Sequence, residues 1–291
     1  MPARLTAHLH QHAAASRLLA DGECVRIGRG GECGLHLEHP SISRAHAELR
    51  FEAGSWRLID LGSKNGTHVD GAAINDVELG GDSWLRFGDV YCEFARLSDE
   101  EAAASERHQQ ARRTRATALT AGLQRATGFG DLLEGSLRAV IELARCERGF
   151  LLLDDDGDYI VRAQHALDAG RELHGFAGSV GAVERSLRER RTVVVNDIGG
   201  EPWLAQRASV IAGALSALVC LPLLDGDDAL GAIYADRRSE GDAITTLDLE
   251  LLQAFAERAA VYIAARRASD ALDARALPRW RQIAGPRAEL R

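Results

Sequence analysis

Three short stretches in the first third of the chain gather hydrogen-bond donors: Gly28-Arg29, Ser43-Arg44-Ala45-His46 and Ser63-Lys64-Asn65-Gly66-Thr67. Between them they supply two arginines, a lysine, a serine hydroxyl and an asparagine amide. No carboxylate lies inside the stretches to pair with these groups. Donors without acceptors suit an anion with several oxygens, most simply a phosphate. Lys64 is the only lysine in the chain, and it falls in this set. Two other chemistries fit less well. Gly28-x-Gly30-x-x-Cys33 begins like a dinucleotide fingerprint but lacks the third glycine, and strand and turn signals follow it instead of a helix. Ser43, His46 and Asp60 supply the residue types of a hydrolase triad, yet no nucleophile-elbow motif accompanies them.

These stretches must be held on loops. Residues 1–97 carry short apolar runs: Leu5–His10, Cys24–Ile27, Leu35–Leu37, His46–Phe51, Trp56–Ile59, Trp84–Arg86 and Val90–Phe94. Turn signals such as Asp21-Gly22, Asn65-Gly66, Asp70-Gly71 and Gly88-Asp89 separate them. Many short strands with glycine turns predict an all-β sandwich, with Leu58, Val69, Leu79, Leu85 and Phe87 in its core. Residues 98–116 are alanine-rich and charged, without glycine or proline, and read as a solvated helical linker.

Residues 117–268 read as an α+β domain, an antiparallel sheet with flanking helices. Helical stripes at Leu119, Leu123, Ala126 and at Leu133, Leu137, Val140, Ala144 are separated near Gly128 and Gly130. A hairpin turns at Asp154–Gly157, a short helix covers Val180–Arg190 and a buried strand covers Thr192–Val195. A second hairpin joins Leu218–Leu224 to Leu230–Ala235. A long helix starts near Thr245, where Thr245-x-x-Asp248 has the form of a capping box, and runs at least to Ala268. Residues 269–291, with Pro278 and Pro286, read as a frayed helix end and a tail.

Composition narrows the function. A net charge of −8 argues against general nucleic-acid or anionic-membrane binding, since both need a basic face. The five cysteines are scattered and form no C-x-x-C pair, which suits a reducing cytoplasm. No signal-peptide core is evident, and no apolar run approaches the ~20 residues of a membrane span. Asp154-Asp155-Asp156-Gly157-Asp158 fails as a calcium loop, because Leu152 and Ala163 would stand at its first and twelfth positions. His8, His10 and His12 alternate, but no further ligand joins them, so no metal site is expected. Paired carboxylates, a metal cluster and an activated nucleophile are all lacking, so the expectation is a protein that is not an enzyme.

The ordered set Gly28-Arg29, Ser43-x-x-His46 and Asn65-Gly66-Thr67 in a β-rich segment resembles a forkhead-associated (FHA) domain. The resemblance implies a β-sandwich that binds phosphothreonine peptides through loops at one end. Arg29, Ser43, Arg44 and Lys64 would then approach the phosphate or peptide, Asn65 would bond the peptide backbone, and Gly28, His46, Gly66 and Thr67 would be structural. Residues 117–268 resemble a GAF domain through Asn196-Asp197-Ile198, Leu218–Leu223, Gly231–Asp236 and Thr245–Leu252. That implies a small-ligand sensor or a dimerising module. His165, His174, Asp197 and Trp203 are the candidate pocket residues, on the sheet face beneath Gly170–Gly181. No cyclic-nucleotide signature is present, and no cysteine sits beside a histidine as a covalent bilin would need, so no cofactor is assigned.

The stripe Leu252, Phe255, Ala259 and Tyr262 fits either core packing or a dimer seam; the GAF resemblance adds weight to a homodimer through the terminal helices. The expectation is a cytoplasmic, non-catalytic signalling protein whose partners are a threonine-phosphorylated protein and its Ser/Thr kinase. The alternative is the regulatory front end of a bacterial transcription activator, cyclase or kinase whose output domain lies elsewhere.

Overall fold

The computed structural model describes residues 1–9, 12–166, 179–196 and 215–284. The chain divides into two compact units, the first containing Met1–Arg115 and the second Ala116–Val193 with Leu218–Arg237.

Eleven strands build the sandwich of the first unit: β1 (Ala3–His8), β2 (Ala15–Leu19), β3 (Cys24–Gly28), β4 (Leu35–His36), β5 (Ala47–Glu52), β6 (Ser55–Asp60), β7 (Thr67–Val69), β8 (Ala72–Ile74), β9 (Asp76–Leu79), β10 (Ser83–Phe87) and β11 (Val90–Arg96). One sheet has the order β2-β1-β11-β10-β7-β8, the other β4-β3-β5-β6-β9. Strand periodicity sends alternate residues inward. Thus β1 buries Ala3, Leu5 and Ala7, β10 buries Leu85 and Phe87, and β11 buries Val90, Cys92 and Phe94. Trp56 anchors this core, its ring 5.3 Å from Phe51 and 6.2 Å from Phe94. Its indole nitrogen donates to the Met1 carbonyl at 3.0 Å, so the one polar atom of the ring is satisfied. Of the expected core residues, Leu58, Leu79, Leu85 and Phe87 are buried and Val69 packs partly buried against them.

The first strand ends at His8 instead of His10, because Ala3–His8 pair residue for residue with Arg96 back to Tyr91 on β11. His12 is therefore off the strand, and His10 lies outside the described residues. Helix α1 (Asp99–Leu123) runs unbroken past residue 116, where the linker was expected to end. A capping box starts it: the Ser98 amide donates to Glu101 at 2.8 Å and the Glu101 amide donates to the Ser98 hydroxyl at 3.2 Å.

In the second unit, α2 (Phe129–Ala144) buries Leu133, Leu137, Val140 and Ala144 on one stripe. The sheet has the order β13-β12-β16-β15-β14, with β12 (Arg148–Asp155), β13 (Asp158–His165), β14 (Val193–Val195), β15 (Ala217–Asp225) and β16 (Asp228–Arg237). The apolar run Phe150–Leu153 is buried because β12 is flanked on both edges. Helix α3 (Val180–Glu189) is capped by the Ser179 hydroxyl. The last helix, α4 (Thr246–Ala284), opens on the expected capping box, with reciprocal bonds between Thr245 and Asp248 of 3.0 and 3.3 Å.

One expectation fails on α4, and one open alternative resolves toward core packing. The helix does not fray at Ser269 but continues through Pro278 to Ala284. A proline removes one amide donor, and strong helix formers such as Ala271, Leu272, Ala274 and Ala276 on its N-terminal side offset that loss. The stripe Leu252, Phe255, Ala259 and Tyr262 is core, since the first three are fully buried. Tyr262 is half-buried and accepts from the Gln124 amide at 2.6 Å.

Candidate functional site

The donor-bearing residues converge because three connections of the sandwich are stitched together by backbone bonds. The β3–β4 connection carries Arg29, the β4–β5 connection Ser43 and Arg44, and the β6–β7 connection Lys64 and Asn65. The Arg29 amide donates to the Ser43 carbonyl and the Gly30 amide to the Arg44 carbonyl, each at 2.9 Å. This close approach needs glycine at position 28, where a Cβ would lie 2.2 Å from the Arg44 carbonyl oxygen. Gly66 turns the third connection with φ of 77°, a left-handed conformation that costs a non-glycine residue energy.

His46 locks this arrangement from below. It is buried, it meets Phe87 edge-on at 5.7 Å, and its Nδ1 accepts from the Ser43 amide at 3.2 Å. The Nε2–H is then left to donate to the Gly66 carbonyl, also at 3.2 Å. Burial pushes its pKa below the usual 6.5, against the opposing pull of the Gly66 carbonyl and Asp60. The ring is therefore a neutral tie between two loops. It touches the backbone of Ser43 and not its hydroxyl, which removes the triad reading.

Around this tie, Arg29, Ser43 and Asn65 are each oriented yet left with capacity. Arg29 is exposed and spends its Nε on the Ile42 carbonyl at 3.3 Å, which leaves the hydrogens of both terminal nitrogens available. The Ser43 hydroxyl oxygen accepts the Lys64 amide at 3.0 Å, so its proton remains available to a ligand. Asn65 is exposed, and its amide nitrogen donates to the Ser41 carbonyl at 2.7 Å, which fixes the side chain and leaves Oδ1 free. Arg29, Arg44 and Lys64 are all exposed, and among the described residues none of them is ion-paired. Three local positive charges and a hydroxyl donor around one rim can hold a phosphate against a net-negative chain.

Sequence reasoning missed the residue that holds the third loop. Asp60 accepts from the hydroxyls of Ser63 and Thr67 at 2.6 Å each and from the amides of Gly62 and Ser63 at 2.9 and 2.8 Å. Burial alone would raise its pKa, but these four bonds bring it below the ordinary carboxylate value. The signal was there in Asp60-Leu61-Gly62-Ser63, an Asx-turn pattern. Thr67 thus has a structural place, buried against Asp60. Ser41 is a second missed support. Its hydroxyl accepts the Asp89 amide at 2.9 Å while its carbonyl holds Asn65.

Only one residue of the second candidate set lies among the described residues. His165 is exposed at the end of β13, in register with Gly149, and His174, Asp197 and Trp203 lie outside the described residues. Among the described residues no group of three or more His, Cys, Asp or Glu side chains could hold a metal ion.

The family comparisons fall on the same two regions. The FHA domain family model matches residues 25–88 and the GAF domain family model matches residues 129–263. Over 75 residues the chain is 33% identical to the glycogen accumulation regulator GarA of Mycolicibacterium smegmatis, covering 26% of this chain and 48% of that protein. It is 35% identical over 75 residues to the oxoglutarate dehydrogenase inhibitor of Corynebacterium diphtheriae, covering 26% of this chain and 52% of that protein. The chain thus spans about half the length of these curated relatives. A solved structure from a study of phosphothreonine-dependent FHA domain interactions is similar at 27% identity and a TM-score of 0.30, covering 33% of this chain and 98% of that one.

Proposed function

We propose that this chain, which carries an FHA domain followed by a GAF domain, is a non-catalytic regulator that docks onto a threonine-phosphorylated partner protein. The observation that supports the reading is the rim of polar side chains with spare hydrogen-bonding capacity on three stitched loops: Arg29, Ser43, Arg44 and Lys64 for phosphate, Asn65 for the peptide backbone. A phosphothreonine presents nearly two negative charges and three strong acceptors. Each hydrogen bond to such a charged group contributes roughly 1.5–3 kcal/mol. The Arg29 terminal nitrogens and the Ser43 hydroxyl meet the phosphate, Arg44 and Lys64 add charge at the rim, and Asn65 aligns the strand beside it. The partner is the substrate of a Ser/Thr kinase acting upstream, and the setting is the cytoplasm. All five cysteines are free, and among the described residues no helix is long and apolar enough to cross a membrane.

The GAF domain, in the same reading, takes a small ligand, pairs with a second copy, or does both. With the Leu252–Tyr262 stripe spent in the core, pairing through α4 falls to its opposite face. There Val261 and Leu272 are 59% and 66% exposed and stand three helical turns apart on one side. A monomer mass by light scattering at micromolar protein would remove the pairing.

Fluorescence anisotropy with a labelled phosphothreonine peptide tests the central claim. Wild type should bind the phosphorylated peptide and ignore the unphosphorylated one. Arg29→Ala should weaken binding at least tenfold, since about 1.4 kcal/mol is a decade. Unchanged affinity in Arg29→Ala would refute the site.

A further inference from the structure

Among the described residues, strand β13 is an edge strand of the second sheet, paired on one side only, with β12. Natural edge strands are blunted by charge, proline or cover, because their free amides and carbonyls template pairing with another chain. This one presents three consecutive apolar residues, Tyr159, Ile160 and Val161, which are 44%, 42% and 36% exposed. Only Ala163 of the whole strand is buried. The straight part of the edge has defined ends. It begins at Asp158, after the turn through Asp156 and Gly157, and it stops at Arg162, the extra residue where the register with β12 shifts.

We propose that this edge is a self-association surface that takes β13 of a second copy, antiparallel and centred on Ile160. The centre follows from the geometry, because Ile160 is the midpoint of the five straight residues. Under a two-fold axis there, Ile160 faces its own counterpart, Tyr159 faces Val161, and Asp158 faces Arg162. The first two are the apolar and aromatic–β-branched pairs that stabilise sheets, and the third joins opposite charges twice. Arg162 lies on the correct face. Its guanidinium reaches Asp155 at 2.8 Å, and Asp155 stands directly opposite Asp158 in the hairpin. The contact is isologous, so the same five residues serve both partners and no second surface is needed. It joins two five-stranded sheets edge to edge. This surface uses none of the residues of the Val261–Leu272 face of α4, although Arg267 of α4 donates to the Asp154 carbonyl on the neighbouring strand at 2.6 Å, and it does not depend on the phosphopeptide reading.

The test uses charge exchange in the full chain carrying Val261→Asp, so that pairing through α4 does not mask the result. Asp158→Arg and Arg162→Asp each place like charges opposite one another twice. Each alone should raise the self-dissociation constant about tenfold in sedimentation equilibrium. Mixed one to one, they should recover association as a heterodimer, because each then meets its complement. An unfolded variant could not give that recovery. As an independent readout, Ile160→Cys in a Cys24→Ser background should cross-link into dimers under mild oxidation, since directly opposite Cβ atoms lie about 5 Å apart. Asp227→Cys, at the exposed β15–β16 turn, is the control. Cross-linking no faster than the control overturns the proposal, as does a mixture that fails to associate more tightly than its components.

Discussion

The loops of the sandwich and the interior of the second unit both concentrate polar side chains, but they spend them differently. Around the loops, His46 and Asp60 are fully engaged with protein partners, while Arg29, Ser43 and Asn65 are each held by one bond and keep further capacity toward solvent. In the second unit three described buried residues are bonded to protein partners. Arg148 meets buried Asp236 at 2.6 Å. The Ser186 hydroxyl is shared between the Arg191 and Cys220 carbonyls at 3.0 and 3.3 Å. The difference teaches where to look for a binding site. Oriented but unspent donors mark the first region, whereas Arg148, Asp236 and Ser186 of the second are spent on protein partners.

The comparison can be broken from either side. The largest effect should come from Arg148→Ala, which removes the guanidinium from the buried Asp236 carboxylate. A loss of about 3–5 kcal/mol is expected in denaturant unfolding, with phosphopeptide affinity unchanged. Arg29→Ala should do the reverse, weakening affinity at least tenfold while leaving the thermal midpoint where it was. If either substitution moves both readouts equally, the division between scaffold and reader fails. Gly28→Ala should move both, because its methyl would press on the Arg44 carbonyl; overpacking of this kind costs about 1–3 kcal/mol.

The smallest effect is a pH dependence. His46 is held neutral by burial, with its folded pKa below 6.5. The unfolded chain therefore takes up the proton first as pH falls, and stability drops below about pH 6.5. Thermal melts between pH 7.5 and 5.5 should show this slope, and His46→Gln should flatten it. An equal slope in the variant would mean that another group titrates.

Much of this was legible in the sequence, and the physical reason is locality. The donor stretches, the Thr245-x-x-Asp248 cap and the buried run at Phe150 are patterns confined to a few neighbouring residues. Strands β8 and β9 were not legible, because Ala72–Ile74 and Asp76–Leu79 are short and bury only Leu79 fully. Asp60 was passed over because a hub is defined by what reaches it, and Thr67 reaches it only once the loop has closed. The Leu252 stripe showed the limit of periodicity, which marks an apolar face but not what covers it. Pro278 showed the opposite error, where a local breaker was outweighed by the helix around it.

Lys64 has one more consequence. It is exposed and is the chain's only lysine, so apart from the N-terminal amine the molecule carries a single primary amine, located in the β6–β7 loop of the proposed phosphopeptide site. Acylating reagents thus have one side-chain address on the whole surface. Protection of that address would report occupancy of the loops without any engineered label, and acetylation there would delete one of the three positive charges on the loop rim.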